Sequence, residues 1–379
     1  MSGLQPRTFR SALIHSFIHS FIHSFFPYTY MTETSTARNK PILITGATGF
    51  VGSYLLRYLL QQGYRNIRAI RRKSSSMELL GPAADKVEWV EGDIVDPVFV
   101  EEAMSGIKWV FHCAAVVSFA PSQARQMRQT NGEGAANIVN AALYEGIDKL
   151  LHISSIATLG RVHNNLMLSE KDTWQRSPFN TQYGVSKYMA EQEVWRGMAE
   201  GLRVAIVNPS VILGSGKWNE GTPRIFKMAY EGLYFYPEGA TGFVDVRDVA
   251  RFSVQLMESD IEGERFILNA ENQTYQSLLN RICHHLDSSP PSRKATSLTR
   301  AVAWRLAWLY SRLTGKPPLL TRETANQSGH SFYYENKKSL EAFPFTYHPI
   351  EQTIAETCGQ LLQARQEGFA SRILPFGDV

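Results

Sequence analysis

Tyr183 and Lys187 stand four residues apart in the stretch TQYGVSKY, residues 181–188. On a helix, that spacing puts both side chains on one face, a turn apart. A phenol ordinarily titrates near about 10. A neighbouring ammonium, and any further positive charge in the site, favours the phenolate and lowers that value. Such a tyrosine could protonate a carbonyl oxygen or deprotonate an alcohol. A hydroxyl from the end of the apolar run DKLLHISS could hydrogen-bond the same oxygen and orient it. Ser155 suits that role, with Ser154 as a stand-in, because the doubled serine leaves the register open by one residue. A Tyr-x-x-x-Lys pair by itself is common on helix surfaces, so the elements around it must decide.

From Pro41 onward those elements alternate. PILIT, NIRAI, KVEWVEGD, IKWVFHCAA, DKLLHISS and LRVAIVNPS read as strands. FVGSYLLRYLLQQG, TNGEGAANIVNAALYEG and TQYGVSKYMAEQEVWRGMAEG carry helical periodicity between them. This alternation predicts an α/β fold, a Rossmann-type doubly wound parallel sheet covered on both faces. The near-continuous apolar strands fit burial on both sides. We expect an N-terminal extension over 1–39, a nucleotide-binding core over 40–210, and a smaller, mostly helical substrate-binding region over 211–379. Residues 243–270, containing GFVDVRDVARFSVQLMES and ERFILNA, are expected to return to the core sheet.

The first strand, turn and helix read TGATGFVG. Gly46 allows a tight turn, Gly49 lets the backbone approach a pyrophosphate, and Gly52 lets helix and strand pack closely. Thr48 and Phe50 lie in the same turn, where free helix amides would meet phosphate. The second strand ends in Arg71, Arg72 and Lys73, where an NAD-binding chain usually has an acid. Cations there suit a 2′-phosphate, so NADP(H) is favoured over NAD(H); the plainer reading is a solvated basic turn. Asp93, with Ile94 beside it, could meet the adenine edge or cap the next helix. Lys187 could also hold the nicotinamide ribose hydroxyls.

The ordered set TGATGFVG, GDI, FHCAA, ISSIATLG, YGVSK and NPSVILG resembles the extended short-chain dehydrogenase/reductase family over residues 41–270. The resemblance implies Ser155, Tyr183 and Lys187 as the catalytic group. It implies Ala114 and Ala115 bordering the cofactor, Asn131 in the helix behind the site, and Pro209 and Val211 lining the nicotinamide pocket. It also implies a homodimer through helices in 122–145 and 181–200. Sugar-nucleotide members usually carry an arginine and an acid where this chain has Thr241 and Gly242. The pattern is more similar to dihydroflavonol reductases and 3β-hydroxysteroid dehydrogenase relatives. Phe119, Phe179, Trp218, Tyr234 and Tyr236 are candidates for an aromatic substrate pocket, or for core.

A net charge of +4 with no long basic run makes nucleic acid an unexpected partner. Cys113, Cys283 and Cys358 lie far apart, which suits a reducing, cytoplasmic setting and no metal or disulfide framework. No run is apolar enough to suggest an integral membrane span. IHSFIHSFIHSFF would stripe His15, His19 and His23 on a helix, but translation starting at Met31 explains the segment more simply than targeting or metal binding. His284 and His285 lack partners at metal spacing. TRAVAWRLAWLYSRLTGK is a basic amphipathic helix with Trp304 and Trp308 and with Arg300, Arg305 and Arg312; it reads as part of a substrate lid, with a membrane surface as the alternative. The sequence thus points to an NADP(H)-dependent oxidoreductase acting on a hydroxyl/carbonyl pair of a fairly apolar small molecule. The rivals are an NAD-dependent sugar epimerase or dehydratase and a non-catalytic NADP(H)-binding protein.

Overall fold

The apolar runs form one sheet of seven strands. The computed structural model describes residues 38–161, 167–314 and 321–376; the IHSF repeat and Met31 lie outside the described residues. The strands are β1 (Ile42–Thr45), β2 (Ile67–Arg71), β3 (Glu88–Glu91), β4 (Trp109–His112), β5 (Lys149–Ile153), β6 (Val204–Pro209) and β9 (Glu264–Leu268). Their order is β9-β6-β5-β4-β1-β2-β3, and every neighbouring pair is parallel. Chain order reverses between β1 and β4, where doubly wound sheets bind ligands beyond the carboxyl ends of their strands. Burial follows position: β1, β4, β5 and β6 are buried throughout, whereas edge strand β3 exposes both ends.

Helices cover both faces. α1 (Phe50–Gln61) packs beside α6 (Val246–Glu258) on one face, and α2 (Pro97–Met104), α3 (Gly134–Glu145) and α4 (Gln182–Ala199) form the layer on the other. Asp96 caps α2, accepting from Val98 N and Phe99 N, and Thr181 caps α4, accepting from Gly184 N at 2.9 Å. The cap starts α4 two residues before Tyr183 and so fixes where the phenol emerges. A π-helical turn at Arg128–Glu133 leads into α3; such turns concentrate at functional sites.

A smaller sheet holds β7 (Val211–Leu213), β8 (Ala240–Asp245) and β10 (Glu271–Thr274) in the order β10-β8-β7. Of residues 243–270, β9 joins the large sheet beside β6, whereas the strand ending at Asp245 belongs to the smaller one. That strand pairs with β7, which begins only two residues after β6 ends. α5 (Pro223–Glu231), α7 (Tyr275–His285) and α10 (Ile350–Gln366) close a second core around Trp218, Phe226, Phe243, Ile282 and Ile354.

Buried polar groups join the parts. Asp245 accepts from Arg247 N at 2.7 Å, capping α6, and pairs with the Arg247 guanidinium at 2.7 Å. Arg247 reaches Glu356 of α10 at 2.7 Å, and Thr353 Oγ1 donates to Asp245 at 2.8 Å. Removing one partner of such a pair costs about 3–5 kcal/mol, because the other charge stays buried. α8 (Ser297–Thr314) is different: it buries none of its residues.

Candidate active site

At the carboxyl end of β1 the chain turns on Gly46, whose φ of +70° is left-handed backbone suited to glycine. A Cβ on Gly46 would lie 2.6 Å from Ala114 N, and one on Gly52 would lie 2.2 Å from Gly46 O. These two glycines weld α1, β1 and the end of β4 together. Gly49 is exposed, and its added Cβ would meet only Gly46 O at 3.2 Å. No side chain caps α1, and its first turn holds no acid. Open amides with room above them, between Thr48 and Gly52, fit a pyrophosphate. Ala114 N donates to Thr45 Oγ1 at 3.1 Å, which holds Ala114 and Ala115 along the same opening.

Ser155 follows β5, and its Oγ accepts from Ala157 N at 3.1 Å. Its hydroxyl lies beside the Tyr183 phenol and acts to lower the phenol's pKa. Ser154 instead donates to Glu191 at 2.5 Å and is buried, which removes it as a stand-in. Burial raises the Tyr183 pKa, and the neighbouring Ser155 hydroxyl only partly opposes it. The expected lowering by Lys187 is not seen. The Lys187 ammonium donates to Ile153 O at 2.6 Å and sits 3.5 Å from His152 Nε2. Burial brings this ammonium down to about 8, against the opposing pull of Glu191 and Cys113.

Asn131 lies in the π-helical turn and is buried. Its Oδ1 accepts from Val116 N at 2.7 Å, and its Nδ2 donates to Val116 O at 3.0 Å and to Ser186 Oγ at 2.9 Å. One buried amide thereby ties the loop after β4 to the first turns of α4.

Two features escaped the sequence reading. In-register pairing lines Thr45, His112 and His152 across β1, β4 and β5. Thr45 Oγ1 is 2.7 Å from His112 Nδ1, the histidine rings stack at 5.0 Å, and the row ends at Lys187. Burial, then Lys187, brings His112 down to about 3 and His152 well below the ordinary value. The second is Glu191, one turn beyond Lys187 and buried. It accepts from Ser154, Thr158 Oγ1 (2.7 Å) and Asn208 Nδ2 (2.6 Å). The continuation of Tyr-x-x-x-Lys by x-x-x-Glu was the signal available for it.

Beyond β2, Arg72, Lys73, Ser74, Glu91, Gly92 and Asp93 line a cleft of about 530 Å³. Arg71 is not among them; it pairs with Glu91 at 3.0 Å and offsets that acid. Among the described residues neither Arg72 nor Lys73 joins an ion pair. Asp93 accepts from Val95 N at 3.1 Å, so it holds the turn, while Asp96 caps the helix and Ile94 is buried. Pro209 and Val211 flank the step from the large sheet to the small one.

Of the aromatic candidates, Phe119 meets Tyr183 edge-on at 6.0 Å. Trp218 is core, its indole donating to Ala370 O at 3.0 Å. Phe179 is core against Phe332. Tyr234 is exposed, beneath Arg293, and Tyr236 lies in a two-residue strand, Phe235–Tyr236, that pairs with Arg293–Lys294.

A doubly wound sheet with an open phosphate turn at its switch point, and a serine beside a tyrosine one turn from a buried lysine, defines a nucleotide-dependent Rossmann-fold protein. The chain belongs to the NAD-dependent epimerase/dehydratase family, whose model matches residues 42–269, and within that extended short-chain class it is an oxidoreductase. It is 28% identical to a Synechocystis sp. protein provisionally named dihydroflavonol 4-reductase, over 83% of this chain and 92% of that one. It is 31% identical to cinnamoyl-CoA reductase 1 of Oryza sativa subsp. japonica, over 60% of this chain and 70% of that one. Its fold matches a dTDP-glucose 4,6-dehydratase from Streptomyces venezuelae with NAD bound, at a TM-score of 0.71, 17% identity, and coverage of 86% and 98%.

Proposed function

We propose that this chain is an NADP(H)-dependent reductase that interconverts a carbonyl and a hydroxyl on a small or medium, fairly apolar molecule. The observation that carries the reading is Ser155 placed beside the Tyr183 phenol, with Lys187 one helical turn away. A bound nicotinamide supplies or receives the hydride. Burial keeps the Tyr183 phenol protonated at neutral pH, the state needed to hand a proton to a carbonyl oxygen. Ser155 orients that oxygen, and Phe119 gives the substrate an apolar wall beside the phenol. Lys187 has two directions of its ammonium taken up by Ile153 O and His152, and its remaining donor is available to ribose hydroxyls. Arg72 and Lys73 are the cations for a 2′-phosphate, with Arg71 serving them by neutralising Glu91. The reductase names of the two relatives support this direction of chemistry.

The test starts with protein purified without added nucleotide: mass spectrometry for anything retained, then fluorescence titration with NADPH and NADH. The expected result is an empty site and NADPH preferred by about tenfold or more, a preference lost in Arg72→Glu. Tightly held NAD⁺ with no response to Arg72→Glu would overturn the cofactor assignment and favour a hydride-recycling epimerase.

A further inference from the structure

We propose that α8 is a docking helix that lays the protein on the surface of an anionic phospholipid bilayer. Leu298, Val302, Leu306, Leu309 and Leu313 recur at helical spacing on one side, and they are between 47% and 78% exposed. The opposite side, with Arg300, Trp304, Ala307 and Ser311, is only partly exposed and faces the body. Arg300 anchors it there, donating to Glu238 at 2.9 Å and to Ala295 O at 2.7 Å. A substrate lid would turn its leucines inward; this helix turns them outward. A contiguous apolar stripe of this kind marks a surface that something covers.

Charge identifies what covers it. From Ser288 to Arg322 the sequence has no Asp or Glu, yet it carries Arg293, Lys294, Arg300, Arg305, Arg312, Lys316 and Arg322. At the angular positions of a regular helix, Arg305 and Arg312 border the leucine stripe. Their guanidinium groups lie 4.6 Å from the Trp304 ring and 5.8 Å from the Trp308 ring, and neither joins an ion pair among the described residues. Two copies meeting through this face would bring arginines together with no acid in the segment to answer them. Headgroup phosphates answer them directly, while the leucines enter the boundary with the acyl chains and Trp308 and Tyr310 sit at its edge. The helix is about 27 Å long, and no helix among the described residues is apolar enough to cross a membrane. It therefore lies on the bilayer.

α8 leads towards α9 (Arg322–Gln327), where Glu323 accepts from Gln182 N at 3.2 Å, the residue before Tyr183. Docking would put the catalytic turn near a source of apolar substrate. That consequence rests on the reductase reading; the docking does not.

The full-length chain should be floated with vesicles of phosphatidylcholine alone and with about 30% phosphatidylserine, at low and high salt. We expect capture by the anionic vesicles only, reversed by salt, with a blue shift in tryptophan emission. Arg305→Gln with Arg312→Gln should weaken capture about thirtyfold, since each basic side chain at an anionic surface contributes about a factor of five. Leu306→Gln with Leu309→Gln should abolish the blue shift. These positions are exposed, and an unchanged circular dichroism melt confirms folding. Capture that neither variant weakens, no capture at all, or a dimer that Leu309→Gln dissociates would each overturn the proposal. NADPH titration is unaffected by these variants, so failure here leaves the cofactor reading intact.

Discussion

The two sides of the switch point are built from different materials. On the β1–α1 side the site is almost wholly backbone: Gly46, Gly49, Gly52 and an uncapped helix end, without an acid in its first turn. On the β4–β5 side it is a crowded set of buried titratable side chains, with His112, His152, Lys187 and Glu191 below Ser155 and Tyr183. A backbone cradle binds charge without changing its own protonation. In the proposed reaction the side-chain cluster moves a proton, and its burial sets which groups keep theirs.

The sharpest way to break this contrast is Tyr183→Phe. Turnover should fall by about 10²–10⁴-fold, while NADPH titration by fluorescence stays unchanged; normal turnover would exclude the phenol as the acid. On the other side, Gly52→Val drives a side chain into Gly46 O and should cost about 3 kcal/mol or more. Urea melts would show it, and nucleotide affinity should fall with stability, unlike in Tyr183→Phe. Glu191→Ala strands the donors of Ser154, Thr158 and Asn208 and should cost about 2–3 kcal/mol. A melt unchanged from the parent would show that the network is dispensable.

A further effect separates the two sides by pH. In the unfolded chain, histidines take up protons below 6.5, whereas folded His112 is held down to about 3 and His152 well below its ordinary value. The unfolded state therefore binds more protons as pH falls. Stability is complete above pH 6.5 and drops by about 1.4 kcal/mol per pH unit for each histidine below it. Urea denaturation between pH 7 and 5 should show this slope, flattened in His112→Asn with His152→Gln. An equal slope in both proteins would mean that the buried row carries none of it.

The glycine turn, the strand–helix alternation and the Tyr183–Lys187 spacing were legible because each is written locally: a left-handed turn, a period, and one helix face. Arg71 and Arg72 were indistinguishable in sequence, adjacent cations at a strand end. Only pairing with β3 placed Glu91 against one and left the other on the cleft. Ser154 and Ser155 were separated the same way, by the direction each faces across β5. Trp218 and Phe119 were equally plausible pocket aromatics until packing put one in a core and one against the phenol.

By itself, then, the sequence determined the fold class, the glycine turn and the shared helix face of Tyr183 and Lys187, since these depend on backbone freedom and on spacing along one element. The tertiary structure alone decided the histidine row, the partners of Glu191 and the outward face of α8. Each depends on which residues meet across strands and helices distant in the chain, and no local pattern records that.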